Sequence, residues 1–111
     1  MSEKKVAIKT KCYYTDYVNH MIRFYLSTPD GLDLRTRKYT KASINNWSAV
    51  QIVFLHLDPD EADKLREIYT SGMPLPKSVE QYATGHSMDI EDVWKIITKF
   101  AAKVARVREL V

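Results

Sequence analysis

A single cysteine, Cys12, is all the thiol chemistry the chain holds, so no intramolecular disulfide, zinc ribbon or redox pair can form within it. Glycine is scarce as well: Gly31, Gly72 and Gly85 stand far apart, which excludes a glycine-rich phosphate loop. The three histidines, His20, His56 and His86, are scattered, and no Ser, Cys or Lys has a base at a readable spacing. No catalytic residue, metal site or cofactor is therefore expected, and an enzyme is disfavoured. No run of about 18 apolar residues is present to span a bilayer. The charged start Met1 to Lys5 is not followed by the apolar stretch of a signal peptide. A soluble, cytoplasmic protein with no membrane partner is expected. Strong net charge is also lacking: +3 with a pI near 9.0 is compatible with nucleic acid but much milder than a polybasic protein shows.

The chain is nevertheless rich in core material. Hydrophobic residues make up 45% of its 111 residues, with seven tyrosines, two tryptophans and three phenylalanines, enough for one independently folding domain over 1–111. Residues 1–14 read as an extended arm. Within it Val6, Ile8, Thr10 and Cys12 alternate with Lys5, Lys9 and Lys11 at the period of a half-buried lone strand. Residues 15–70 read as a helical core. Thr15 can cap a helix carrying Val18, Met21, Ile22, Tyr25 and Leu26 at helical spacing, and Pro29-Asp30-Gly31 supplies turn chemistry after it. Asn19, His20 and Arg23 form its solvated face. Arg35, Arg37 and Lys38 crowd around Tyr39 in the densest positive stretch, which suits phosphate contacts or a merely solvated loop.

From Ala42 to Leu57 apolar residues fall almost all round a helix, which predicts a central element built on Ile44, Trp47, Val50 and Phe54. Asp58-Pro59-Asp60-Glu61 is a strong helix start, with Asp58 as cap, proline at the first position and Glu61 set to close a capping box. That helix should bury Ala62, Leu65, Ile68 and Tyr69 and end at Ser71-Gly72, before the Pro74/Pro76 linker. The predicted fold is all-α, of four or five helices.

The last third, 78–111, organises the reading of function. Ser78-x-x-Gln81 after Pro76 predicts a capping box opening a short helix, with Ala83 on its packed side. A turn around Thr84-Gly85-His86-Ser87 follows, and then a second helix whose first turn holds Asp89, Glu91 and Asp92. Ile90, Val93, Ile97, Phe100, Val104, Val107 and Val111 are spaced three and four apart, one apolar stripe along a helix of roughly 34 Å at 1.5 Å per residue. This layout fits a DNA-binding helix-turn-helix and equally a plain helical hairpin. The position before the second helix, usually glycine in such units, is Ser87. The stripe also outlasts what packing against the first helix requires. Its extension must be covered by the helix bearing Met21, Ile22 and Tyr25 or by a second copy, so a monomer or a weak homodimer is expected.

Leu57-x-Pro59-x-Glu61, Leu65, Ile68 and Tyr69, the linker, Ser78 to Ala83, then Val93, Ile96 and Ile97 resemble region 4 of bacterial sigma factors. The ending Ile97-Thr-Lys-Phe-Ala101 makes the chain similar to small phage and prophage regulators of the RinA and ArpU type. The resemblance covers about the last half of the chain. It implies a phage or prophage transcription regulator that binds promoter DNA and works with host RNA polymerase.

The first turn of the second helix is where such units meet bases and phosphates, and here it is acidic. Trp94, Lys95, Thr98 and Lys99, one turn later, are the candidate DNA-reading residues, with Lys103 and Arg106 continuing the basic strip. Arg35, Arg37 and Lys38 are the candidate phosphate contacts. The competing expectation is a protein-interaction module of a phage or mobile element that keeps the fold and touches no nucleic acid.

Overall fold

A computed structural model describes residues 16–36 and 38–110. Among them are five α-helices and no strand: α1 (16–26), α2 (Lys41–Leu55), α3 (Pro59–Tyr69), α4 (Leu75–Gly85) and α5 (Ile90–Val107), with a short 3-10 turn at Leu34–Thr36. The all-α class predicted from the sequence is what the chain adopts. The arm and lone strand expected over 1–14, and the cap expected at Thr15, lie outside the described residues.

The helix ends follow local chemistry, though not always the chemistry expected. After α1, Gly31 donates its N–H to the Thr28 carbonyl at 3.0 Å, closing a turn with Pro29 at its second position, and Gly31 takes a positive φ of 86°. The Thr40 hydroxyl accepts the Ser43 N–H and caps α2. Asp58 does stand at the N-cap of α3, with Pro59 in the first turn, but its side chain makes no capping bond, so the expected capping box is not formed.

A larger correction concerns α4. It begins at Leu75, three residues before the predicted start, because Pro76 lies in a first turn whose N–H groups have no intrahelical partner to lose. Ser78 is consequently inside the helix and buried, with no capping role. Its hydroxyl donates to the Ile68 carbonyl, one of the four that the C-terminus of α3 leaves without an intrahelical donor, and accepts the Ser71 hydroxyl at 2.8 Å.

A single core joins all five helices, and α5 is its hub, packed against both α2 and α4 while α3 packs on α4. The buried face of α5 consists of Val93, Ile97, Phe100, Ala101, Val104 and Ala105. The predicted stripe is therefore right at its centre and wrong at its ends: Ile90 and Val107 are exposed, Val111 lies outside the described residues, and the two alanines are fully buried in their place. The extension of the stripe is buried only as far as Val104, and the helix packed along it is α2, where the helix bearing Met21, Ile22 and Tyr25 or a second copy was expected. Phe54 of α2 meets Phe100 edge to face with centroids 4.9 Å apart, and the Arg108 guanidinium donates to Asn46 at 2.7 Å. Tyr25 brings α1 into the same core by stacking on Phe54 at 5.5 Å, beside Trp47, whose indole N–H donates to Thr28. The prediction of α2 as an all-round buried helix is corrected. It buries Ala49, Val50, Val53 and Phe54, and leaves Leu55 73% exposed, because it is covered by neighbours on one side only.

Polar ties set how the remaining helices sit. The Tyr69 hydroxyl donates to Asn19 at 2.6 Å, linking α3 to α1, and the Arg23 guanidinium donates to the Met73 carbonyl at 2.9 Å in the loop before α4. No buried side-chain N or O among the described residues lacks a partner.

Two predictions follow from these buried polar groups. Ser78→Ala leaves the Ile68 carbonyl without its donor, so it should cost about 1–3 kcal/mol of stability, read as a lower urea midpoint at unchanged slope. Burial pushes the Tyr69 phenol far above its ordinary value of 10.0, so the folded chain keeps a proton that the unfolded chain releases at high pH. Stability should then be level up to about pH 10 and fall above it, less steeply in Tyr69→Phe. A urea midpoint that rises between about pH 10 and 11 contradicts this.

Candidate nucleic-acid interface

The turn joining α4 to α5 is built without glycine at its strained position. His86 ends α4, Ser87 follows with φ +53°, and two reversed hydrogen bonds close the end: Met88 N–H to Ala83 O at 2.9 Å and Ser87 N–H to Thr84 O at 3.4 Å. This is the Schellman arrangement, and Met88 completes it by packing against the core. Ser87 thus occupies the left-handed position that glycine would fill, while Gly85 belongs to the last turn of α4. Ala83 is buried on the side of α4 that meets α5, as the close crossing of the two helices requires. Asp89 then caps α5, accepting the Glu91 N–H at 3.3 Å.

The unit is held against α3 from behind. The His86 ring stacks on Tyr82 with centroids 4.1 Å apart, and its Nε2 lies 2.8 Å from a Glu67 carboxylate oxygen. Together with the Ser78 hydroxyl on Ile68, these contacts tie α4 to α3. Burial, and next the Glu67 carboxylate, push the Tyr82 phenol up.

On the outward side of α5, Trp94, Lys95, Thr98 and Lys99 come together with Glu91 and Ala102 around one shallow, open concavity. These four predicted residues are therefore neighbours on one helix face, and Lys95, Thr98 and Lys99 are exposed while Trp94 is half-buried. Ala102, overlooked in the sequence, gives the concavity its depth: a small side chain at i+4 from Thr98 leaves the Trp94–Thr98 row standing proud. The acidic first turn is exposed as expected, and Asp92 lies 3.9 Å from the Lys95 ammonium, offsetting part of one cation.

The second group of predicted contacts does not join this face. Arg35 is 92% exposed and its guanidinium is taken by Asp33, at 3.0 Å, which holds the Asp33 carboxyl below its ordinary range. Lys38 is exposed in the same connection between α1 and α2, and Arg37 lies outside the described residues. Lys103 and Arg106 continue the line of Lys95 and Lys99 along α5, the four lying within about 80° of one another at 100° per residue, and at that end they also line a groove between α5 and α2.

Among the described residues no cluster of three or more His, Cys, Asp or Glu is placed to hold a metal, and no helix is long and apolar enough to cross a membrane. Comparison with known proteins finds no matching family model, no matching curated protein and no matching solved structure.

Because a non-glycine residue in the left-handed region is strained, Ser87→Gly should raise stability by up to about 1 kcal/mol, the relief outweighing glycine's larger entropy loss. Ser87→Val, β-branched at that φ, should lower it. Thermal melts of the two variants moving in the same direction would falsify the left-handed turn.

Proposed function

We propose that this chain is a DNA-binding transcription regulator of phage or prophage type, in which α4 and α5 act as a helix-turn-helix resembling sigma factor region 4. The observation that carries this reading is the pairing of a tight left-handed turn at Ser87 with an outward α5 face bearing Trp94, Lys95, Thr98 and Lys99. In the major groove such a helix presents its outer side chains to base edges. Lys95 and Lys99 supply donors for phosphate or guanine, Thr98 a hydroxyl and a methyl, and Trp94 an indole edge. Asp89, Glu91 and Asp92 oppose phosphate at the leading end, so docking on this reading shifts contact one turn along the helix, where the charge becomes positive. Host RNA polymerase is the second partner that the sigma-like resemblance brings.

A protein-interaction module without DNA binding is the competing reading. It is favoured by those three carboxylates at the very turn that should approach the duplex.

Binding to a pool of randomised duplexes, followed by selection and fluorescence anisotropy on the enriched sites, separates the two. Affinity should fall by about 10- to 1000-fold between low and moderate salt, as a few phosphate contacts require. Lys95→Glu and Lys99→Glu should each weaken binding, Lys9→Glu should do less, and Asp92→Asn should strengthen it. Equal losses from all three lysine variants would mean diffuse charge attraction, and no binding even at low salt leaves the interaction module.

A further inference from the structure

Two of the large apolar side chains exposed among the described residues, Ile52 of α2 and Val107 of α5, border the same groove. Ile52, Val53, Leu57 and Val107 line this groove of about 280 Å³ between the two helices, with Ile52 46% and Val107 42% exposed. Its polar rim is His56, Lys103 and Arg106, with no carboxylate. Neither Lys103 nor Arg106 forms an ion pair with a described residue. Ile52 and Val107 also border a second depression at the far end, where Glu109 adds a carboxylate and Arg108 is tied to Asn46.

Three kinds of occupant can be compared on charge and size. A small molecule is poorly served, because the groove is open and falls below the roughly 300–1,000 Å³ of sites that enclose one. A second copy docked by two-fold symmetry sets the same patch against itself, so a rim that carries Lys103 and Arg106 and no carboxylate meets another of the same sign. An amphipathic helix flanked by carboxylates meets both features at once: its apolar i, i+3, i+4 and i+7 side chains enter the groove while its acids face the unpaired cations.

We infer that the α2–α5 groove docks an acidic amphipathic helix of a second protein. At 100° per residue Val107 lies about 150° and Lys103 about 110° round α5 from the centre of the Trp94–Lys99 face, while Arg106 lies about 50° from it but two turns beyond Lys99 along the helix. The groove and that face share no lining residue, so the groove does not depend on the DNA reading.

The test uses two synthetic helical peptides with leucines at i, i+3, i+4 and i+7, one flanked by glutamates and one by lysines, titrated into the full chain and followed by backbone amide NMR shifts. The glutamate peptide should shift Ile52, Lys103 and Val107 and bind roughly tenfold or more tightly than the lysine peptide. Val107→Glu and, separately, Ile52→Glu should remove that binding, with an unchanged circular dichroism spectrum showing that each still folds. Reversing the rim with Lys103→Glu and Arg106→Glu should reverse the peptide preference. Equal affinity for the two peptides, shifts outside the groove, or no shift at millimolar glutamate peptide overturns the inference. So does a homodimer that Val107→Glu dissolves, which would give the face to a second copy. Thr98→Ala should leave peptide binding intact and Val107→Ala should leave any duplex binding intact, so failure of one surface is distinct from failure of the other.

Discussion

The packing of one helix against two neighbours is the constraint from which the rest of the architecture follows. The buried residues of α5 span about 140° of its circumference at 100° per residue, wider than the stripe of a helix lying on a single partner. Ala101 and Ala105 make this possible. Large side chains there would hold a neighbouring helix off, whereas methyl groups let backbone approach backbone on a second flank while Phe100 and Val104 fill the first. With α2 and α4 both seated on α5, α3 packs on α4, ties to α1 through Tyr69 and lays the Arg66 guanidinium over the Phe54 ring of α2, and Tyr25, Phe54 and Phe100 join three helices through their rings.

A set of polar contacts at the ends of α3 and α4 seats the α4–α5 pair. The Ser78 hydroxyl on the Ile68 carbonyl, the His86 contact with Glu67 and the Schellman closure at Ser87 each satisfy groups that a helix terminus leaves open. The closure at Ser87 also sets the direction in which the chain enters α5. The same device recurs where α5 ends: Glu109 takes φ +63°, Leu110 donates to the Ala105 carbonyl and Glu109 to that of Arg106. Two left-handed helix ends without glycine are strained, and both border a surface to which a function is proposed.

The surface of α5 is divided by charge. Its first turn is acidic, its middle carries Lys95 and Lys99 on an open face, and its last turns send Lys103 and Arg106 toward an apolar groove shared with α2. The four cations share one side of the helix at 100° per residue, so the division runs along its length, and the positive residues serve two neighbourhoods with different chemistry, one polar with a half-buried indole and one apolar.

The sequence by itself determined the all-α class, the centre of the α5 stripe and the acidic start of α5, because helical periodicity and terminal charge are written within a few residues of each other. It also grouped Trp94, Lys95, Thr98 and Lys99, since residues one and four apart on a regular helix must be neighbours. Other features were decided only by the tertiary structure. Ser78 has the spacing of a cap, and its burial depends on α3 bringing a carbonyl to it from ten residues away. Val107 has the spacing of a core residue, and its exposure depends on α2 lying to one side of it, which leaves Ile52 and Val107 lining an open groove between the two helices. Ser87 became the left-handed residue because the two helices must cross closely there, although Gly85 was the residue better suited to that backbone. Arg35 was separated from the α5 face for the same kind of reason: local density of charge says nothing of which surface a loop is folded onto, and the nearest carboxylate, Asp33, claimed it first.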